Sequence, residues 1–165
     1  RSARLVRVNL SDAVLVDADL YRGQLSETIL TNTYLIQANL SKAHLYKAIM
    51  KKTALHSANM RKAFLKDADM TGAHLTGADL TEANLEGANL SEAFLDSVNL
   101  SGANLANVIF EETYFFGNIL KEVNLNNVNL SGFDLRRVNL SEAHLCKTDL
   151  KRANLCGCGS FGTMG

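Results

Sequence analysis

Apolar and polar positions recur along this chain with a period of five. Every fifth position from Leu5 to Leu155 is large and apolar: of thirty-one such positions, twenty-six are Leu, three are Met (Met50, Met60, Met70) and two are Phe (Phe110, Phe115). Leu stands nowhere else. Two residues earlier comes a small or β-branched residue, most often Ala, and the position between them is most often Asn or Asp. On an α-helix five residues advance about 500°, so the leucines would spiral over every side and leave no apolar stripe. In an extended segment Ala83 and Leu85 share one side and Asn84 takes the other. Because five is odd, a straight strand would turn its apolar side over at every repeat. The chain must therefore turn once per pentapeptide. Repeated turning predicts stacked coils around a buried column of Leu and Ala.

Two further patterns support stacking. None of the 165 residues is proline, as expected where nearly every coil gives N–H groups to its neighbour. The middle position also shows a period of ten. At residues 9, 19, 29 and on to 149 it is Asn or Asp eleven times in fifteen, and otherwise Ile. At 4, 14, 24 and on to 154 it varies, with Tyr34, His44, Phe64, His74, Phe94, Tyr114 and His144 among its members. A coil with an even number of sides, in two alternating classes, accounts for this.

The AxLxx run, as in ADLTEANLEGANLSEAFL (78–95), closely resembles the pentapeptide-repeat proteins, over residues 1–155. The resemblance implies an all-β fold: a right-handed quadrilateral parallel β-helix with four pentapeptides to a coil. The repeats would then make about eight coils, a rod of roughly 35–40 Å at about 4.8 Å per coil. Residues 156–165, where Ser160 and Gly165 replace Leu, read as a C-terminal tail or linker. The family includes gyrase-binding members that mimic DNA, with an extended negative surface and a C-terminal helical dimer module. Here no C-terminal helix is evident.

Composition narrows the class. Hydrophobic residues make up 47% and charged residues 21%, which fits a folded chain better than a disordered one. No apolar run reaches the roughly 18 residues that would span a bilayer, and the N-terminus lacks a secretory signal pattern. Three cysteines, all after residue 145, form no disulfide framework, so a reducing, cytoplasmic compartment is expected.

The zero net charge conceals segregation. Residues 41–66 carry a basic belt of Lys42, Lys47, Lys51, Lys52, Arg61, Lys62 and Lys66, with no acid. Residues 67–120 carry an acidic belt of Asp67, Asp69, Asp79, Glu82, Glu86, Glu92, Asp96, Glu111 and Glu112, with no Lys or Arg. A twenty-residue coil stacks Arg22, Lys42 and Lys62 as like charges, and sets Lys62 under Glu82 and Lys66 under Glu86. The belts suit electrostatic recognition of a charged partner. An ordinary solvated surface has the same composition.

The pattern breaks where function or strain concentrates. Asn118 and the bulky Phe133 occupy inward slots that normally hold Ala, and Gly23 is expected to leave another empty. Residues 108–120 (VIFEETYFFGNIL) are the most aromatic stretch, with Phe110 and Phe115 inward and Ile109, Tyr114, Phe116 and Ile119 outward. With twenty-residue coils His74, Phe94 and Tyr114 stack on one side and Phe116 lies beside them, a candidate partner-binding patch. Local repacking around the larger rings accounts for the same residues.

Catalytic chemistry is not evident. His144, Cys146, Cys156 and Cys158 superficially suggest zinc, but ten residues separate Cys146 from Cys156 and would put them on opposite sides of a coil. Cys158 falls on an inward slot. His44, His56 and His74 lie on different coils or sides, without a nucleophile at motif spacing. No cofactor, metal, small-molecule substrate or membrane contact is expected. The leading reading is a non-enzymatic protein-interaction scaffold, standing alone or as one module of a larger protein. The alternative is a DNA mimic that binds a topoisomerase (gyrase) through the acidic belt, and direct nucleic-acid binding by the basic belt ranks below both.

Overall fold

The computed structural model describes residues 3–114, 120–136 and 138–156. Parallel β-bridges join residues twenty apart: Asn84 pairs with Phe64 and Asn104, Asn89 with Asp69 and Ile109, Phe94 with His74 and Tyr114, Asp79 with Asn59 and Asn99. One circuit therefore takes twenty residues, and the described chain is a parallel β-helix. Its β-structure consists of isolated bridges, without longer strands among the described residues. The corner consumes two residues of every five, so each side has only three left.

A single pentapeptide shows how the backbone is satisfied. In Thr81–Leu85 the Glu82 N–H donates to Ser101 O in the next coil at 2.9 Å, and the Leu85 N–H to Asn104 O at 2.8 Å. The Asn84 N–H donates backward to Ala63 O at 2.9 Å, and the Ala83 N–H closes the corner turn onto Leu80 O at 2.9 Å. Only the Thr81 N–H lacks a backbone acceptor, and the Asp79 carboxylate takes it at 3.0 Å. The same contact recurs from Asn9 to Asn154, for example Asn89 with the Ser91 N–H at 3.0 Å and its hydroxyl at 2.7 Å. These are Asx turns. They explain why the middle position is so often Asn or Asp.

The corners are left-handed. In each described pentapeptide from Arg7 to Arg152 the second corner residue has φ between 52° and 75°, and only five of these residues are Gly. A turn with positive φ at its third position requires this. It costs a non-glycine residue about 1–2 kcal/mol, offset in part by the inter-coil bond that the same residue donates.

Inward Leu and Ala are buried throughout the middle of the rod: Ala83, Leu85, Ala88 and Leu90 are 0–1% exposed, while Asn84 and Asn89 lie outward and half-buried in their ladders. Thr28, Thr33 and Thr53 are fully buried, each donating its hydroxyl to the carbonyl of the Leu twenty-three residues earlier at 2.6–2.8 Å. An inward small residue thus sits over a large one from the preceding coil. Phe133 breaks that pairing, because twenty-three residues earlier stands Phe110. Their rings meet edge to face at 6.1 Å and 68°.

Gly23 does not leave its slot empty. A Cβ there would lie 2.7 Å from Leu25 Cδ1 and 2.9 Å from the Leu20 carbonyl oxygen, so Leu25 already fills the space. Phe115, Phe116, Asn118, Ile119 and Cys158 lie outside the described residues.

Two substitutions check this account. Asn89→Ala leaves the half-buried Ser91 N–H without its acceptor and is expected to cost about 1–2 kcal/mol in denaturant unfolding. Gly23→Ala installs the residue favoured at equivalent slots, yet it is expected to lower the melting temperature because the Leu20 backbone cannot give way.

Candidate interaction surface

Bridged residues sit about 4.8 Å apart, so rings at the same position on successive coils must stack. His74 and Phe94 stack at 4.6 Å and 10°, and Phe94 and Tyr114 at 4.8 Å and 2°. The three side chains anticipated for a partner-binding patch therefore form one column. Phe94 and His74 are half-buried by their neighbours and present mainly ring edges, less projecting area than the sequence suggested. Tyr114 is 59% exposed, because the next coil does not bridge to it.

The histidines are closer than the sequence reading placed them. His56, on the adjoining corner, stacks with His74 at 5.7 Å and 27°. Its Nδ1 is buried with no hydrogen-bond partner. Burial lowers the pKa of His74, and the neighbouring His56 lowers it further. A second column that the sequence reading left unassigned pairs His44 with Phe64 at 4.7 Å. It borders a groove of about 520 Å³ shared with Arg22, Lys42 and Lys62. Arg22 and Lys42 both approach the Tyr21 ring, at 5.1 and 5.9 Å.

The charge belts interlock at their boundary. Lys51 pairs with Asp69 at 3.2 Å, Arg61 with Asp79 at 3.0 Å, Lys62 with Glu82 at 3.0 Å and Lys66 with Glu86 at 2.9 Å. Burial works to raise the Asp69 and Asp79 carboxyls. Hydrogen bonds from Thr71 and Thr81, with the Lys51 and Arg61 charges, outweigh it and hold both below the usual carboxylate value. Among the described residues Asp67, Glu92, Asp96, Glu111 and Glu112 form no ion pair, and four of these five lie after residue 90. The uncompensated negative charge is thus concentrated at the far end of the acidic belt. In the basic belt Lys47 lies 5.2 Å from the Tyr46 ring, and Lys52 is exposed.

A family model described as pentapeptide repeats matches in eight copies, over residues 1–32, 28–67, 58–96, 68–105, 95–132 and 124–158. The chain belongs to the pentapeptide-repeat family. Comparison with curated proteins gave no match. Among solved structures the chain is similar to HetL, a pentapeptide repeat protein involved in heterocyst differentiation regulation in the cyanobacterium Nostoc. That match has 27% identity over 94% of this chain and 86% of that one, with a TM-score of 0.39. It is similar to Rfr23 from the cyanobacterium Cyanothece 51142, at 28% identity over 70% and 86% of the chains and a TM-score of 0.41. It is also similar to QnrB1, a plasmid-mediated fluoroquinolone resistance protein, at 20% identity over 93% and 84% with a TM-score of 0.48.

The pentapeptide-repeat coil also places the cysteines. Cys146 and Cys156 are free and exposed on corners ten residues apart, two sides round the coil. Among the described residues no three His, Cys, Asp or Glu side chains come together as metal ligands. No helix among them is long and apolar enough to cross a membrane.

The His74 shift has a defined pH consequence. Its folded pKa lies below the ordinary 6.5, so the unfolded chain takes up a proton first. Stability is complete above that value and falls as pH drops from about 6.5 through the lowered folded pKa. Melting temperature measured against pH is expected to show this loss in the wild type and to flatten in His74→Phe, which keeps the stack.

Proposed function

We propose that this pentapeptide-repeat chain is a non-enzymatic protein-interaction scaffold, built as a right-handed quadrilateral β-helix of about eight coils and working in the cytoplasm. The observation that carries the reading is the stacked column of His74, Phe94 and Tyr114 on a wall whose backbone is hydrogen-bonded from coil to coil. Such a wall is ordered before binding, so capture of a partner costs little backbone entropy. Aromatic anchors beside charged residues are what interface hot spots are made of, and Asp96 and Glu112 supply the charge here. Phe116, outside the described residues, belongs to the same patch in this reading. The family's members are generally structural or interaction proteins, and the histidines and cysteines described above lack the geometry of a nucleophile with its base.

The run of acids without Lys or Arg in residues 67–120 favours a second reading, a DNA mimic that binds a topoisomerase. Four of those acids are neutralised by the basic belt, which leaves a short negative patch in place of a duplex-like surface. The scaffold reading is preferred for that reason.

Phe94→Ala combined with Tyr114→Ala is expected to leave the fold nearly intact while weakening partner capture from a lysate. Unchanged capture of the same proteins would remove this side from consideration. Inhibition of gyrase supercoiling by the wild-type chain would favour the second reading.

A further inference from the structure

The β-bridge ladder is interrupted on two adjoining sides. Asn89 bridges to Ile109 and Asn129 to Asp149, but Ile109 does not bridge to Asn129. Phe94 bridges to Tyr114 and Asp134 to Asn154, but Tyr114 does not bridge to Asp134. On the side of Asn104 the same two coils remain paired, Asn104 to Asn124. Among the described residues the coils have parted around the corner at Glu111 and Glu112. The cause lies inside, where Phe133 sits over Phe110 in a place built for Ala over Leu.

Parting leaves bare backbone on both lips. Among the described residues the N–H groups of Glu112, Asn129 and Asp134 have no acceptor, and the carbonyls of Val108, Thr113 and Ser131 have no donor. Between the lips run two lobes of about 420 and 410 Å³ that share Glu112, Ser131 and Phe133. Each lies within the roughly 300–1,000 Å³ range of ligand sites. The floor is apolar, from Val108, Phe110 and Phe133. The charged groups lining the lobes are all acids: Asp96, Glu111, Glu112 and Asp134. Among the described residues Asp134 alone of these has a basic partner, Arg136 at 2.6 Å. Tyr114 lines one lobe, with one ring face against Phe94 and 59% of the residue exposed.

We propose that this crevice binds an extended basic peptide segment, whose backbone pairs with the two lips while a Lys or Arg side chain lies on the exposed ring of Tyr114. The proposal rests on the scaffold reading and names its partner's chemistry. A strand supplies N–H and C=O groups along both edges, which is what two facing unpaired edges lack. Alternate side chains then point to the apolar floor and to the mouth. At the mouth a cation meets a ring face together with the unpaired Asp96 and Glu112 carboxylates, a pairing that favours Lys or Arg over neutral groups.

Fluorescence anisotropy with a short labelled peptide of alternating Lys and Val tests this. The wild-type chain is expected to bind it in a salt-sensitive manner and to bind the Glu–Val counterpart at least roughly tenfold more weakly. Phe110→Leu with Phe133→Ala restores the large-over-small pairing and keeps all four acids. This variant is expected to melt at a higher temperature and to lose the Lys–Val peptide by roughly tenfold or more. Equal binding by the repaired variant would show that the belt's charge alone holds the peptide, and would overturn the proposal, as would absence of binding to the wild type. If the repaired variant does not fold, hydrogen exchange on the wild type decides. The Glu112, Asn129 and Asp134 amides must exchange fast in the free chain and slow with peptide, and unchanged exchange overturns the proposal. A failed crevice with partner capture still dependent on Phe94 and Tyr114 removes the crevice alone. Loss of that dependence removes the scaffold reading separately.

Discussion

In each pentapeptide one backbone donor has nowhere to go. In a coil flanked by paired neighbours, as at Thr81–Leu85, those neighbours take three N–H groups and the corner turn takes a fourth. The first corner residue keeps a donor that no carbonyl reaches, and an unpaired donor at a half-buried site is costly. The chain's answer is an Asn or Asp two residues earlier. That solution commits the middle position of a side to holding the backbone. Where the middle residue is His74 or Phe94, the Thr76 and Asp96 N–H groups have no partner among the described residues. After His144 a different device appears, with Asn126 of the preceding coil accepting the Cys146 N–H at 2.8 Å. Surfaces with varied chemistry are therefore the sides on which this support has been given up.

The core obeys a comparable rule of pairing. Small inward residues lie over large ones from the coil before, and the inward threonines mark that contact through their bonds to the carbonyls of Leu5, Leu10 and Leu30. Two rings in the place of one Leu and one Ala exceed the space available, and a close-packed interior relieves such an excess by moving backbone. The interruption beside Tyr114 and the exposed end of the aromatic column thus share one origin. The belts are joined by their ion pairs, each exposed and worth little alone. Their larger effect is to leave most of the unbalanced negative charge near that interruption, with Asp67 the exception.

Much of this was legible in the chain, and the remainder failed for identifiable reasons. The five-residue spacing of Leu settles which residues point inward, since no other conformation keeps Ala83 and Leu85 together at every repeat. The twenty-residue circuit was not readable from periodicity, which requires only an even number of sides; it came with the family resemblance. The stacking of His74, Phe94 and Tyr114 follows once that circuit is known. His56 was missed because corner side chains can lean toward either adjoining side, and position along the chain does not say which. Gly23 was misread because a missing Cβ suggests vacant space, whereas Leu25 leans into it. The crevice could have been found, since Phe110 and Phe133 are twenty-three residues apart, but that spacing has meaning only after the inward threonines reveal which residues overlie each other.

The mismatch between the five-residue repeat and the twenty-residue circuit has an evolutionary consequence. Insertion or deletion of one pentapeptide leaves every downstream Leu in register, so the core survives. The same event rotates all following side chains by a quarter turn. Tyr114 would leave the column of Phe94, and Glu86 would leave Lys66. Lengths that differ by five are thus nearly invisible to folding, yet they rearrange the entire outer surface, whereas lengths that differ by twenty extend the rod and preserve its columns. Relatives of similar composition and stability can therefore display unrelated faces, and counting residues between two surface landmarks, modulo twenty, says which faces they share.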